Sequence, residues 1–266
     1  MGLFEHPYSN PALLSVIGSA DQRALARQAV SESQVLLQNN HGALPLAKDV
    51  PSIFVAGNGA DDIGQQSGGW TIEWQGKTGN ITPGTTILQG IEAAVSPKTT
   101  VTYMSNGRFT GSAEVGIVVV GEQPYAEGKG DKANLALSKG DLALIQRVRQ
   151  QTRTLIVILL SGRPMIIGAA LNQSDAFIAA WLPGTEATGL SDVLFGAQPF
   201  TGKLSFTWPR DMNQVPLSAI KAGATGCAAP LFPFGYGLTT ASTLTVSDSC
   251  VIAPTPTATL AATPTS

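Results

Sequence analysis

The chain is expected to fold as an α/β protein: a doubly wound, mostly parallel sheet of about six strands with helices on both faces, an α/β sandwich. Two observations predict it. Apolar runs of strand length recur along the sequence, and several are separated by stretches of ten or more residues that suit helices. Strands joined through helices of that length imply crossover connections and parallel pairing.

Taken in order, Gly2 to Ser19 mixes Pro7, Pro11 and Gly18 with small polar residues and reads as a connecting segment. Asp21 to Leu37 carries helical periodicity, with Leu25, Ala29 and Val35-Leu36 on one side and Arg23, Arg27 and Gln28 available for another. Ser19 or Asp21 suits its cap, and Asn39-Asn40-His41-Gly42 its stop. Strands are expected at Ile53–Ala56, Val101–Met104, Val115–Val120, Leu155–Leu160, Ala176–Ala180 and Leu204–Thr207. Helices are expected at Thr85–Val95, Lys139–Gln151 and Glu186–Phe195. From Thr239 the chain turns Ser/Thr/Ala/Pro-rich, a composition unable to bury enough apolar surface to order itself. The expected division is therefore a connecting segment over 1–20, one sandwich domain over 21–240 and a tail over 241–266.

Composition removes several function classes. With 266 residues and 43% hydrophobic content, the chain can bury one large core. Its net charge of -2 gives no electrostatic case for nucleic acid or an anionic membrane. No apolar run is long enough to span a bilayer. The start Met1-Gly2-Leu3-Phe4-Glu5-His6-Pro7 lacks the basic and apolar regions of a signal peptide. His6 and His41 stand far apart and no Cys/His cluster has ligand spacing, so neither a metal nor a cofactor is expected. Cys227 and Cys250 are compatible with one disulfide in an exported protein or with two thiols.

The segment Gly121-Glu122-Gln123-Pro124-Tyr125-Ala126-Glu127-Gly128-Lys129-Gly130-Asp131 follows directly on the β-branched run Val115–Val120. Ligands of open α/β sheets gather beyond the carboxyl ends of strands, so carboxylates placed there are candidates for chemistry. A solvated charged loop is the plain alternative, and spacing does not choose among the carboxylates. Trp70 and Trp74 lie in the glycine-flanked stretch Gln66–Gly76, which suits an exposed loop. Their indoles would be core, or flat faces for a sugar ring. The turn Gly57-Asn58-Gly59-Ala60-Asp61-Asp62 fails as a dinucleotide fingerprint, because Asp62 occupies the place of the last glycine with the wrong charge. Ser161-Gly162-Arg163-Pro164 reads as a strand terminator, and Thr185 as a possible helix cap. No G-x-S-x-G is present and neither histidine lies near a nucleophile, which argues against a Ser-His hydrolase.

Seven segments in order resemble the C-terminal α/β sandwich domain of glycoside hydrolase family 3, the β-glucosidases and exo-β-glucanases. They are Glu32–Asn39 with Leu44-Pro45-Leu46, Gly68–Gly76, Gly121–Asp131, Ser161–Pro164, Trp181–Glu186, Phe200–Leu204 and Phe232–Leu238. The Trp70-Thr71-Ile72-Glu73-Trp74 form is most similar to the exo-β-glucanase branch. The resemblance implies a retaining enzyme acting on β-glucans or β-glucosides. Its N-terminal (β/α)8 barrel supplies the nucleophile, and this domain the acid/base glutamate, Glu127 by its place in the Pro-Tyr-x-Glu pattern. Trp74 would form one side of an aromatic clamp, with Trp70 close by. A barrel takes roughly 250 residues, so these residues alone, with the barrel a partner in cis or in trans, are expected to be inactive. Export to the periplasm or beyond is implied for the whole enzyme. A non-catalytic carbohydrate-binding or scaffold module is the alternative.

Overall fold

The structure is a computed structural model that describes residues 2–242 and 249–250. Its centre is a six-stranded sheet in the order β1-β6-β5-β4-β2-β3. The strands are β1 (Val35–Asn39), β2 (Ser52–Ala56), β3 (Thr100–Tyr103), β4 (Ala113–Gly121), β5 (Thr152–Leu160) and β6 (Ala176–Trp181). All neighbours pair in parallel except β1, which runs antiparallel to β6.

Helices cover both faces, which confirms the expected doubly wound α/β class. On one face Ile53, Val55, Ile117, Val119, Ile156, Ile158 and Ile178 meet α1 (Ala20–Ser33), α3 (Ile87–Ala94) and α6 (Thr188–Leu194) through Val30, Ile87, Ile91, Leu190 and Val193. On the other face Val118, Val120, Leu155, Val157, Leu159 and Phe177 meet α4 (Lys139–Arg149) and α5 (Gly168–Leu171) through Ile145, Val148 and Leu171, with Trp208 and Phe232 completing the layer. Near-continuous apolar strands are what burial on two sides requires. The one-turn helix α2 (Ile63–Ser67) and the short α5 carry too little periodicity to be read from sequence.

Two expected elements differ. The first helix stops at Ser33 instead of continuing to Leu37, and Val35–Leu37 become a fully buried strand paired with β6. A short apolar run satisfies either period, and the open edge of β6 decides. Leu204–Thr207 is not a strand: Leu204 only exchanges backbone bonds with Gly235 and Tyr236, each 2.8 Å, and Pro209 soon removes a ladder donor. Ser19 does cap α1, accepting from the Gln22 amide. Thr185 does not cap α6, whose cap position is Ala187; its carbonyl accepts instead from the Thr85 amide at 2.9 Å. Cys227 and Cys250 form a disulfide, with 5.6 Å between Cα atoms. Of the expected tail, only Ala241, Ser242, Ser249 and Cys250 lie within the described residues.

Candidate active site

Two loops at the carboxyl end of the sheet build the site. The first leaves β4 at Gly121, whose φ of 144° lies in glycine territory and whose Cβ would strike the Leu160 carbonyl of β5. That close approach seats the next residue, Glu122, inside the protein at 5% exposure. Its carboxylate receives the Arg163 guanidinium as a fork, Nη2 to Oε1 at 2.7 Å and Nε to Oε2 at 3.1 Å, and Lys132 Nζ at 2.9 Å. Burial pushes the Glu122 carboxyl up, but the two cations outweigh it and hold it below the ordinary carboxylate range. Arg163 also lies 4.5 Å from the centre of the Tyr125 ring and donates to the Gly130 carbonyl at 2.7 Å. Burial, then the charge of Glu122, pushes the Tyr125 phenol up to about 12. Glu122 is thus committed to holding the loop. In the sequence Arg163 reads only as part of a strand terminator; a cation directly beyond a buried strand, in a chain with few charges, is the signal that could have found it.

Glu127 has the opposite setting. It is exposed, and its Oε2 accepts the indole N–H of Trp74 at 2.8 Å. Gln75 clamps the same turn from both sides, its Nε2 donating to the Glu127 carbonyl at 3.1 Å and its Oε1 accepting the Ala126 amide at 3.0 Å. The Trp74 bond first, then the residue's own backbone amide, hold the Glu127 carboxyl below its ordinary range. Lys129 and Asp131 are exposed on the turn beyond, which Gly130 closes through its amide to the Ala126 carbonyl at 2.8 Å.

The second loop presents the indoles. Trp70 and Trp74 are 70% and 55% exposed, so the reading of both rings as core is excluded. Their centroids are 6.4 Å apart and their planes tilted by 55°. The Trp70 amide donates to the Trp74 carbonyl at 2.9 Å, closing a tight reversal. Within it Trp70 (φ 61°) and Ile72 (φ 65°) are left-handed, a costly state for a β-branched residue. Strain of this kind persists only where surrounding bonds over-determine the loop, and it gathers at functional sites. The arrangement is an exposed carboxylate at the edge of a two-indole platform. It can hold an apolar sugar face and hydrogen-bond an oxygen beside it. Asp62, which spoiled the nucleotide fingerprint, plays a structural part. Its Oδ1 accepts the amides of Gln65 at 2.7 Å and Gly79 at 2.8 Å, capping α2.

Comparison with known proteins agrees with the fold and the motifs. Residues 34–240 match the glycosyl hydrolase family 3 C-terminal domain. The chain is 30% identical over 263 residues to the lysosomal beta glucosidase of Dictyostelium discoideum, covering 90% of this chain and 32% of that protein. It is 28% identical to the periplasmic beta-glucosidase of Salmonella typhimurium, over 96% of this chain and 40% of that protein. Among solved structures, an exo-1,3/1,4-beta-glucanase from a Pseudoalteromonas species superposes with TM-score 0.79 at 40% identity, over 86% of this chain and 38% of the other. The beta-glucosidase of Listeria innocua in complex with glucose superposes with TM-score 0.75 at 26% identity, over 90% of this chain and 36% of the other. The chain thus spans about a third of the length of these relatives. With residues 34–240 matched and its fold superposing on that of solved relatives, the chain belongs to the glycosyl hydrolase family 3 C-terminal domain family.

Proposed function

We propose that this domain is the acid/base half of the active site of a retaining β-glucosidase or exo-β-glucanase that releases glucose from the non-reducing ends of β-glucans or cello-oligosaccharides. Glu127 protonates the leaving glycosidic oxygen and later draws a proton from the attacking water, while Trp70 and Trp74 hold the neighbouring sugar. The observation that carries this reading is the 2.8 Å bond from Trp74 Nε1 to Glu127 Oε2, which puts a carboxylate at the rim of the aromatic platform. The nucleophile is assigned to a (β/α)8 barrel working in cis or in trans, with residues 1–20 as the connection, 21–240 as the sandwich and 241–266 as a tail. The whole enzyme is proposed to act outside the cytoplasm, in keeping with the periplasmic and lysosomal names of two relatives.

Retaining hydrolysis needs two carboxyl groups about 5–5.5 Å apart, one of them protonated at the start. Glu127 is exposed and titrates below its ordinary range. A barrel closing over it would remove water and bring the nucleophilic carboxylate near, and both changes raise a carboxyl pKa. In a barrel-containing enzyme, Glu127→Gln is expected to lower kcat/KM on natural glucosides by about 10² or more, the usual scale of general acid catalysis. Aryl glucosides with good leaving groups should lose less in the glycosylation step. Equal loss on both substrates, with Glu122→Gln worse, would move the role to Glu122.

The low-titrating, open carboxylate equally suits a second reading, a carbohydrate-binding or scaffold module without catalysis. Mixing the chain with a separately expressed barrel separates the two. Restored turnover supports a catalytic half, and sugar binding without turnover supports a module.

A further inference from the structure

The sheet reverses its winding between β2 and β4: the connection from β2 leads outward to β3, and that from β4 leads the other way through α4 to β5. The crevice beyond the carboxyl ends of two such strands is where open α/β sheets take ligands. Here it holds a cavity of about 250 Å³ between Gly57-Asn58-Gly59 after β2, Ser105 and Asn106 after β3, Gly121 and Gln123 after β4, and Asp141 and Arg147 on α4. A Cβ at Gly57, where φ is 94°, would strike the Val119 carbonyl, so glycine keeps the two strand ends together at the cavity floor. The Gly57 amide donates to the Ser105 carbonyl at 3.1 Å and the Tyr103 hydroxyl to the Gly57 carbonyl at 3.3 Å, which fixes that wall.

The lining is polar and much of its hydrogen-bonding capacity is unspent. The side-chain amides of Asn58 and Gln123 are exposed and take no hydrogen-bond partner among the described residues. Asn106 uses Oδ1 on the Arg108 amide at 3.0 Å and keeps its Nδ2. Arg147 gives Nη1 to the Asn106 carbonyl at 2.6 Å, and Asp141 accepts the Ser138 hydroxyl at 2.8 Å. One guanidinium and one carboxylate share the wall, so the cavity has no surplus of charge for an anion. Planar amides, a hydroxyl and a balanced charge pair fit a neutral polyol. The volume falls below the roughly 300 Å³ at which drug-sized sites begin, so one sugar ring fits better than a chain.

We infer that this switch-point cavity is a second carbohydrate site, binding a single neutral hexose unit separately from the Trp70–Trp74 platform. The inference does not rest on the catalytic reading of Glu127. The test is a ¹H–¹⁵N spectrum of the full chain titrated with D-glucose up to about 100 mM. Shifts are expected at the amides of Gly57, Gly59, Ser105, Asn106 and Gly121, and they should persist in Trp74→Ala. They should shrink at least about five-fold in a variant carrying Asn58→Ala and Gln123→Ala, two exposed changes whose folding the spectrum itself reports. Silence at these amides overturns the inference, as does loss of their shifts in Trp74→Ala, which would assign them to the platform. A larger response to inorganic phosphate than to glucose would overturn the choice of a neutral ligand.

Discussion

Glu122 and Glu127 sit on one loop and both titrate low, but they differ in depth and in what holds them. Glu122 is buried and held by two cations, whereas Glu127 is open and held by an indole N–H. Replacing Trp74 by Phe keeps a ring for a sugar and removes the donor, so the Glu127 carboxyl should titrate higher, back toward the ordinary glutamate value. Carboxyl ¹³C chemical shifts against pH measure this, and an unchanged midpoint would show that the bond does not hold the carboxylate. For Glu122, Arg163→Met deletes the fork and leaves the buried carboxylate on Lys132 alone. Breaking a buried pair costs about 3–5 kcal/mol, and the remaining lysine should keep the loss near the lower figure. Lys132→Met removes a partner that is 42% exposed and should cost under about 1 kcal/mol. Urea unfolding of the two variants gives the comparison. The acidic loop was readable as a candidate site from its place after Val115–Val120. The partners that separate its carboxylates were not, because Arg163 and Trp74 are distant in sequence and only folding brings them near.

At the level of elements, the β4–β5 pair carries the site. Eight register positions join them, from Ala113 opposite Thr152 to Gly121 opposite Leu160. Gly121→Ala would impose both a side chain at φ 144° and a clash with the Leu160 carbonyl. It should destabilise the chain by at least the about 1–3 kcal/mol of a strained residue. A thermal melt within a degree of the parent would contradict that account. Strands β2, β4, β5 and β6 were legible as apolar runs because burial on two faces leaves little room for polar residues, whereas the edge strand β3, with no buried residue, was legible from its β-branched and aromatic residues. β1 was not, since Val35–Leu37 continue the helical period of α1 and become a strand only by pairing with β6. The Leu204–Thr207 run failed in reverse: its alternation suits a strand, but only Leu204 packs into the layer with Trp208, and Ser205 and Phe206 are exposed outside the sheet.

For the whole molecule, the buried Glu122 cluster sets a dependence on acid. Its folded carboxyl lies below the unfolded glutamate value of about 4.3. The stabilisation is therefore fully present above that value and is lost as pH falls through the lower, folded one. Stability measured by denaturant from about pH 6 down to about pH 3 should fall, and it should fall less steeply in Glu122→Gln, though from a lower start. Equal slopes would place the acid sensitivity elsewhere. What the sequence by itself determined is the class of the fold and the identity of the loops. Two-sided burial writes itself into apolar runs, and most of the seven family-like segments lie in the loops between them. What only the tertiary structure decided is the setting of each side chain: Glu122 buried between two cations, Glu127 open beside an indole. A carboxylate's role depends on its depth and on which donors reach it, and here both are set by residues on other strands and loops.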